Sequence, residues 1–94
     1  MKIRYYIDPE TSLPHIYKHN ISENEVEDVL LKPGEDRLGS EGSRITLSQT
    51  SAGRYLRVIY VPDTEELKSV FVITAFELSG KPLTAYKRRR RKKK

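Results

Sequence analysis

Three strand-like runs crowded into the second half of the chain constrain its fold more than any other feature. Residues 44–50 alternate, with Ile45 and Leu47 on one face. Residues 55–61 are apolar or aromatic on both faces except at Arg57. Residues 69–76 are almost continuously apolar, as in the middle strand of a sheet. Ser51-Ala52-Gly53 is short enough for a hairpin connection, and Pro62-Asp63-Thr64-Glu65-Glu66 turns the chain a second time. Strands joined this closely pair as antiparallel neighbours. With 94 residues in all, the chain has room for one domain and a modest core.

The first half supplies the complement. Residues 2–7 are rich in β-formers and are halted by Asp8-Pro9, which predicts an opening strand. Ser22 and Glu25 have capping-box spacing, and Ile21 and Val26 stand where a hydrophobic staple places its apolar pair. A helix is predicted over about residues 23–31, with Val26, Val29 and Leu30 as its buried stripe and Pro33-Gly34 as its stop. Residues 34–43, with three glycines among charges and serines, read as a loop. Ser79 can cap a short last helix with Pro82 in its first turn, packed down by Leu83 and Tyr86. The order β-α-β-β-β-α predicts a two-layer α+β domain. Its antiparallel sheet of about four strands carries one packed helix and a short C-terminal helix. The other sheet face and the C-terminal segment are then free to meet a ligand.

Charge divides the chain unevenly. Residues 87–94 are all Lys or Arg, a charge of +8, whereas the other 86 residues hold ten basic and 13 acidic side chains, a net −3. Residues 1–86 therefore read as the folded domain, and 87–94 as a basic tail that repels itself and is disordered in isolation. Its natural partner is polyanionic: RNA, DNA, an anionic surface or an acidic protein, with phosphate backbone the favoured one. Such a tail supplies affinity with little sequence discrimination. No cysteine is present, which excludes disulfide scaffolds, cysteine-ligated metal and thiol nucleophiles. No apolar run reaches the roughly 18–20 residues that span a bilayer. Met1 leads straight into the first strand, without a secretory apolar region. The expectation is a cytoplasmic protein with no membrane partner.

His15 and His19 have the spacing that places two imidazoles on one helix face. Ile16 fills the slot where a metalloprotease motif needs glutamate, and no third ligand is evident, so no metal or other cofactor is predicted. His19 stays a candidate acid or base because imidazole titrates near neutrality. No phosphate-binding loop or nucleophile elbow occurs, and the carboxylates are scattered, unlike those of a two-metal nuclease. Cleavage of RNA without metal would use the substrate's own 2′-hydroxyl. It needs a proton acceptor, a proton donor and cations around the phosphorane charge. Arg54, Arg57, Lys81, Tyr86, Lys87 and Arg88 are residues of the right chemistry. Arg57 stands out because a charge that interrupts an apolar strand must reach water or a partner.

Three segments carry a family likeness. Lys18-His19-Asn20-Ile21-Ser22-Glu23-Asn24-Glu25-Val26 resembles the K-H-G-hydrophobic-S-x-x-E segment of BrnT-type toxins, with Asn20 in the glycine's place. Gly53-Arg54-Tyr55-Leu56 is similar to that group's G-R-Y-L strand, and Ile73-Thr74-Ala75 to its I-S-A strand end, although Phe76-Glu77 stand where the group usually carries arginines. The resemblance spans roughly residues 18–91. It implies a RelE/ParE-like fold, a metal-independent endoribonuclease of a toxin–antitoxin pair, and an acidic antitoxin as partner. Carried over, it implies roles for Lys81 and Tyr86, which fall where the family's final helix carries a basic residue and a tyrosine. With Arg57 from the strand they make the expected catalytic group, and Arg54, Lys87, Arg88, Arg89, Arg90 and Arg91 are expected on the RNA. A non-catalytic nucleic-acid-binding module and an antitoxin- or partner-binding domain stay open beside it.

Overall fold

The computed structural model describes residues 1–63 and 68–92. Residues 64–66 of the expected turn and 93–94 of the basic run lie outside the described residues. Five strands form one sheet: β1 Lys2–Tyr5, β2 Glu35–Leu38, β3 Arg44–Gln49, β4 Tyr55–Pro62 and β5 Ser69–Glu77. Two α-helices accompany it, α1 Glu23–Leu31 and α2 Gly80–Lys92, with a 3-10 helix over His15–His19. The chain is thus α+β. Among the described residues, no helix is long and apolar enough to cross a membrane.

The sheet order is β1-β5-β4-β3-β2. From β2 to β5 the pairings are antiparallel, but β1 lies parallel to β5, with Ile3 opposite Val70 and Tyr5 opposite Val72. The sheet is therefore five-stranded and mixed, not four-stranded and antiparallel. The neighbour rule covers consecutive strands; β1 and β5 are the first and last strands of the sheet in chain order, and their pairing is long-range in sequence. β2 is the second departure. Its sequence, Glu-Asp-Arg-Leu, has no strand periodicity, and its backbone is recruited by pairing with β3 and by side chains reaching it from elsewhere. The Arg44 Nε donates to Asp36 at 3.0 Å, and the Tyr60 hydroxyl donates to Asp36 at 2.9 Å.

Period-two alternation sends Leu56, Val58 and Tyr60 of β4 to one face, joined by Val72 and Ala75 of β5. Val26 and Val29 of α1 close over them, with Ile16 and Ile21, as the main core. The helix begins as its cap dictates: Ser22 Oγ accepts from the Glu25 N–H at 3.3 Å while Glu25 Oε1 accepts from the Ser22 N–H at 3.0 Å. The opposite face is not bare. Leu83 and Tyr86 of α2 pack there against Ile45, Leu47, Tyr55 and Leu78, a second and smaller core. Coverage stops at β4, where Arg57 lies between Leu47 of β3 and Phe76 of β5.

Between β1 and α1 the chain wraps around one carboxylate. Asp8, 4% exposed, accepts from the Glu10 N–H at 2.9 Å, and the Lys18 ammonium lies 2.7 Å from its Oδ2. The 3-10 helix ends on Asn20 in the left-handed region (φ 60°), a conformation that asparagine tolerates. The Lys18 ammonium above all, then the Glu10 amide, hold the Asp8 carboxyl down at about 2. A carboxyl depressed on folding stabilises the fold above its ordinary value near about 4. That contribution is lost as pH falls through about 2. Urea unfolding at a series of pH values should show wild type more stable than Asp8→Asn at pH 7. The gap should close between about pH 4 and about pH 2; a gap independent of pH would contradict the assignment.

Candidate nucleic-acid interface

α2 does not end where the apolar sequence ends. It runs without a break through the basic segment to Lys92, so residues 87–92 are helical rather than a disordered tail. Lys and Arg are good helix formers, and cations in a last turn complement the helix dipole, but like charges three and four apart repel by a few tenths of a kcal/mol per pair. Docking offsets that repulsion. The Arg89 guanidinium binds Glu35 with both arms, at 2.6 and 2.9 Å, and Arg90 Nη1 donates to the Gly34 carbonyl at 2.8 Å. Lys87 Nζ sits 5.0 Å from the centroid of the Tyr55 ring. Tyr86, one residue back, is 4% exposed and meets Tyr55 edge to face at 6.0 Å.

The docking leaves a cleft of about 660 Å³ between α2, the Lys32–Gly34 turn and the outer end of β3. Tyr55 and Tyr86 contribute aromatic surface, Ser48 and Gln49 contribute polar side chains, and Lys32, Lys87, Arg90 and Arg91 border it with positive charge. Arg88, Arg91 and Lys92 are exposed and form no ion pair among the described residues. Cations and aromatic rings around one groove are the elements that bind a sugar–phosphate chain and stack its bases. Burial, foremost, pushes the Tyr86 phenol above its ordinary value.

The residues singled out in the sequence are distributed unequally. Tyr86, Lys87, Arg90 and Arg91 meet at the cleft. Lys81 is exposed at the start of α2, five residues from Tyr86 and so about 140° away around the helix; it does not share the groove. Arg57 is also outside it, on β4, with its guanidinium carbon 5.7 Å from the Phe76 ring centroid. The trio Arg57, Lys81 and Tyr86 is therefore not gathered at one point. Arg54 is committed internally: Nη1 donates to Glu25 at 2.9 Å and to the Asn20 carbonyl at 3.1 Å, and Nη2 lies 3.3 Å from Glu77. Its charge ties the α1 cap to the end of β5. Arg89 is likewise spent on Glu35. His19 is exposed beside His15, away from the cleft.

Among the described residues, no group of three His, Cys, Asp or Glu side chains is placed to hold a metal ion. Sequence reasoning passed over Gly34, Ser48 and Gln49. Gly34 carried a signal, read only as a helix stop. A Cβ there would collide with the Tyr86 hydroxyl and come within 2.9 Å of the Leu47 carbonyl oxygen, so only glycine lets α2 lie this close.

Gly34→Ala should destabilise the protein by about 1–3 kcal/mol in urea unfolding. Adding Tyr86→Phe, which deletes the colliding oxygen, should recover part of that loss. Additivity of the two changes would show that α2 does not dock on Gly34. No protein-family model, no curated protein and no solved structure matches this chain.

Proposed function

We propose that this protein binds RNA along α2 and cleaves it without a metal ion, as a BrnT-like toxin would. One observation carries the reading: a helix with its free cations in the last two turns is held against a groove floored by two tyrosine rings, on a body whose remaining charge is negative. The phosphates meet Lys87, Arg88, Arg90, Arg91 and Lys92, while Tyr55 and Tyr86 offer surface for a base. Arg89, held by Glu35, fixes the helix rather than the RNA. Binding of this kind depends on backbone charge and hardly on sequence.

Cleavage follows the route open to RNA alone, attack by the 2′-hydroxyl on the adjacent phosphorus, so it should persist in EDTA and spare DNA of the same sequence. An acidic partner protein laid along the same cations would compete with RNA, as an antitoxin must.

Five cations on single-stranded phosphates should make log affinity fall against log salt with a slope near roughly −3.5, measured by fluorescence anisotropy. Arg90→Gln with Arg91→Gln should reduce that slope by roughly 1.4, and a flat response would overturn α2 as the contact surface. Intact RNA after incubation with pure protein and with translating ribosomes would remove the cleavage half of the reading and leave binding.

A further inference from the structure

The residues that could move protons are not in the cleft. They lie beyond β4, where the 3-10 helix abuts β5 and His19 approaches Phe76. His15 and His19 stand one turn apart, with ring centroids 5.3 Å from each other and planes at 74°. His15 Nδ1 lies 3.4 Å from Asp8 Oδ2, the oxygen that also takes the Lys18 ammonium at 2.7 Å. A proton on Nδ1 held by that carboxylate leaves Nε2 as an acceptor, and the ring's 29% side-chain exposure keeps it reachable. His19 is exposed, and its ring sits 6.0 Å from Phe76. Phe76 in turn lies under the Arg57 guanidinium, whose Nε is buried without a hydrogen-bond partner. Two imidazoles, an aromatic surface and a guanidinium thus form one row.

The row joins the α2 groove. Arg57 is cross-strand neighbour to Phe76 on one side and to Leu47 on the other, and Leu47 packs against Tyr86. Two strand spacings, about 10 Å, separate Leu47 from Phe76. An RNA strand held by α2 must run on past Arg57 and Phe76 to reach the histidines.

Resting on the RNA reading above, we infer that His15, His19 and Arg57 are the catalytic residues, and that Asp8 is the positioning residue behind His15. His15 Nε2 takes the 2′-hydroxyl proton as the 2′-oxygen bonds to phosphorus. Asp8 supports the imidazolium that forms. The bond from phosphorus to the 5′-oxygen breaks, and protonated His19 gives that oxygen its proton. The products are a 2′,3′-cyclic phosphate and a 5′-hydroxyl, with no atom unaccounted for. Arg57, reached from His19 by way of Phe76, sets its positive charge along the path of the strand's phosphates. The groups facing the imidazoles are Asp8, Lys18, Tyr6 and Phe76, with Glu10 3.7 Å from the Lys18 ammonium.

The test incubates full-length protein with single-stranded RNA in EDTA from pH 5 to 9, alone and with translating ribosomes, and measures RNA affinity in parallel. Wild type should give 2′,3′-cyclic ends with a bell-shaped pH profile. His15→Gln and His19→Gln should each lower the cleavage rate by about 10²-fold or more and each remove one limb of the bell, with affinity unchanged. Asp8→Asn should cost less and shift the His15 limb. Arg57→Lys should recover part of the activity that Arg57→Ala loses. Cleavage by His15→Gln and His19→Gln within about threefold of wild type, with both limbs intact, would overturn the assignment while sparing the RNA reading. Binding with no cleavage by wild type would overturn it too, whereas loss of binding in wild type would bring down the reading on which it rests.

Discussion

Everything on the ligand side of this molecule depends on a cationic helix being held against a sheet. A run of eight basic residues has no reason to fold by itself, and over residues 87–92 three contacts offset the mutual repulsion. Tyr86 inserts beside Leu47 and Leu78, the Arg89 guanidinium grips Glu35 with both arms, and Arg90 reaches the Gly34 carbonyl. The first contact requires that residue 34 have no side chain. The second requires a carboxylate on a strand that has almost nothing else in its sequence to make it a strand. The cleft is the space left between these contacts, and Lys32, Lys87, Arg90 and Arg91 supply its charge.

The sheet acts as a partition. On one face, Leu56, Val58, Val72 and Ala75 meet α1 in an apolar core that supplies the stability. On the other, apolar packing is confined to the β3 side, and the strip over β4 and β5 carries Arg57, Phe76 and the approach to His19. Acidic side chains of α1, including Glu23 and Glu27, face water on the first side. Arg54 keeps its place on that first side as well, spanning Glu25 and Glu77.

Local signals in the sequence were read well, and long-range ones were not. The capping box at Ser22 and Glu25 predicted α1 to the residue, because every interaction that starts that helix lies within four positions. The alternation of β3 and the apolar runs of β4 and β5 gave those strands within a residue or two. β2 and the parallel partner of β1 were illegible, since what makes them strands is hydrogen bonding to segments far along the chain. The basic run had the right composition for a disordered tail; its helical course depends on Glu35 and Gly34, some 55 residues away. For the site, residue types were legible and their grouping was not. Lys81 and Tyr86 are close in sequence yet diverge around the helix. His15 and His19 were weighed as metal ligands, and their juxtaposition with Asp8 and Phe76 depended on a 3-10 turn that Pro14 and Asn20 did not announce.

The central claim is that the face bearing α2, and not the face bearing α1, meets RNA. Backbone amide shifts recorded by NMR while a short single-stranded RNA is added test it most directly. The account predicts shifts at Gly34, Ser48, Gln49 and residues 87–92, spreading to Arg57 and Phe76, with Glu23 and Glu27 unmoved. Shifts centred on α1, or none at saturating RNA, would contradict it.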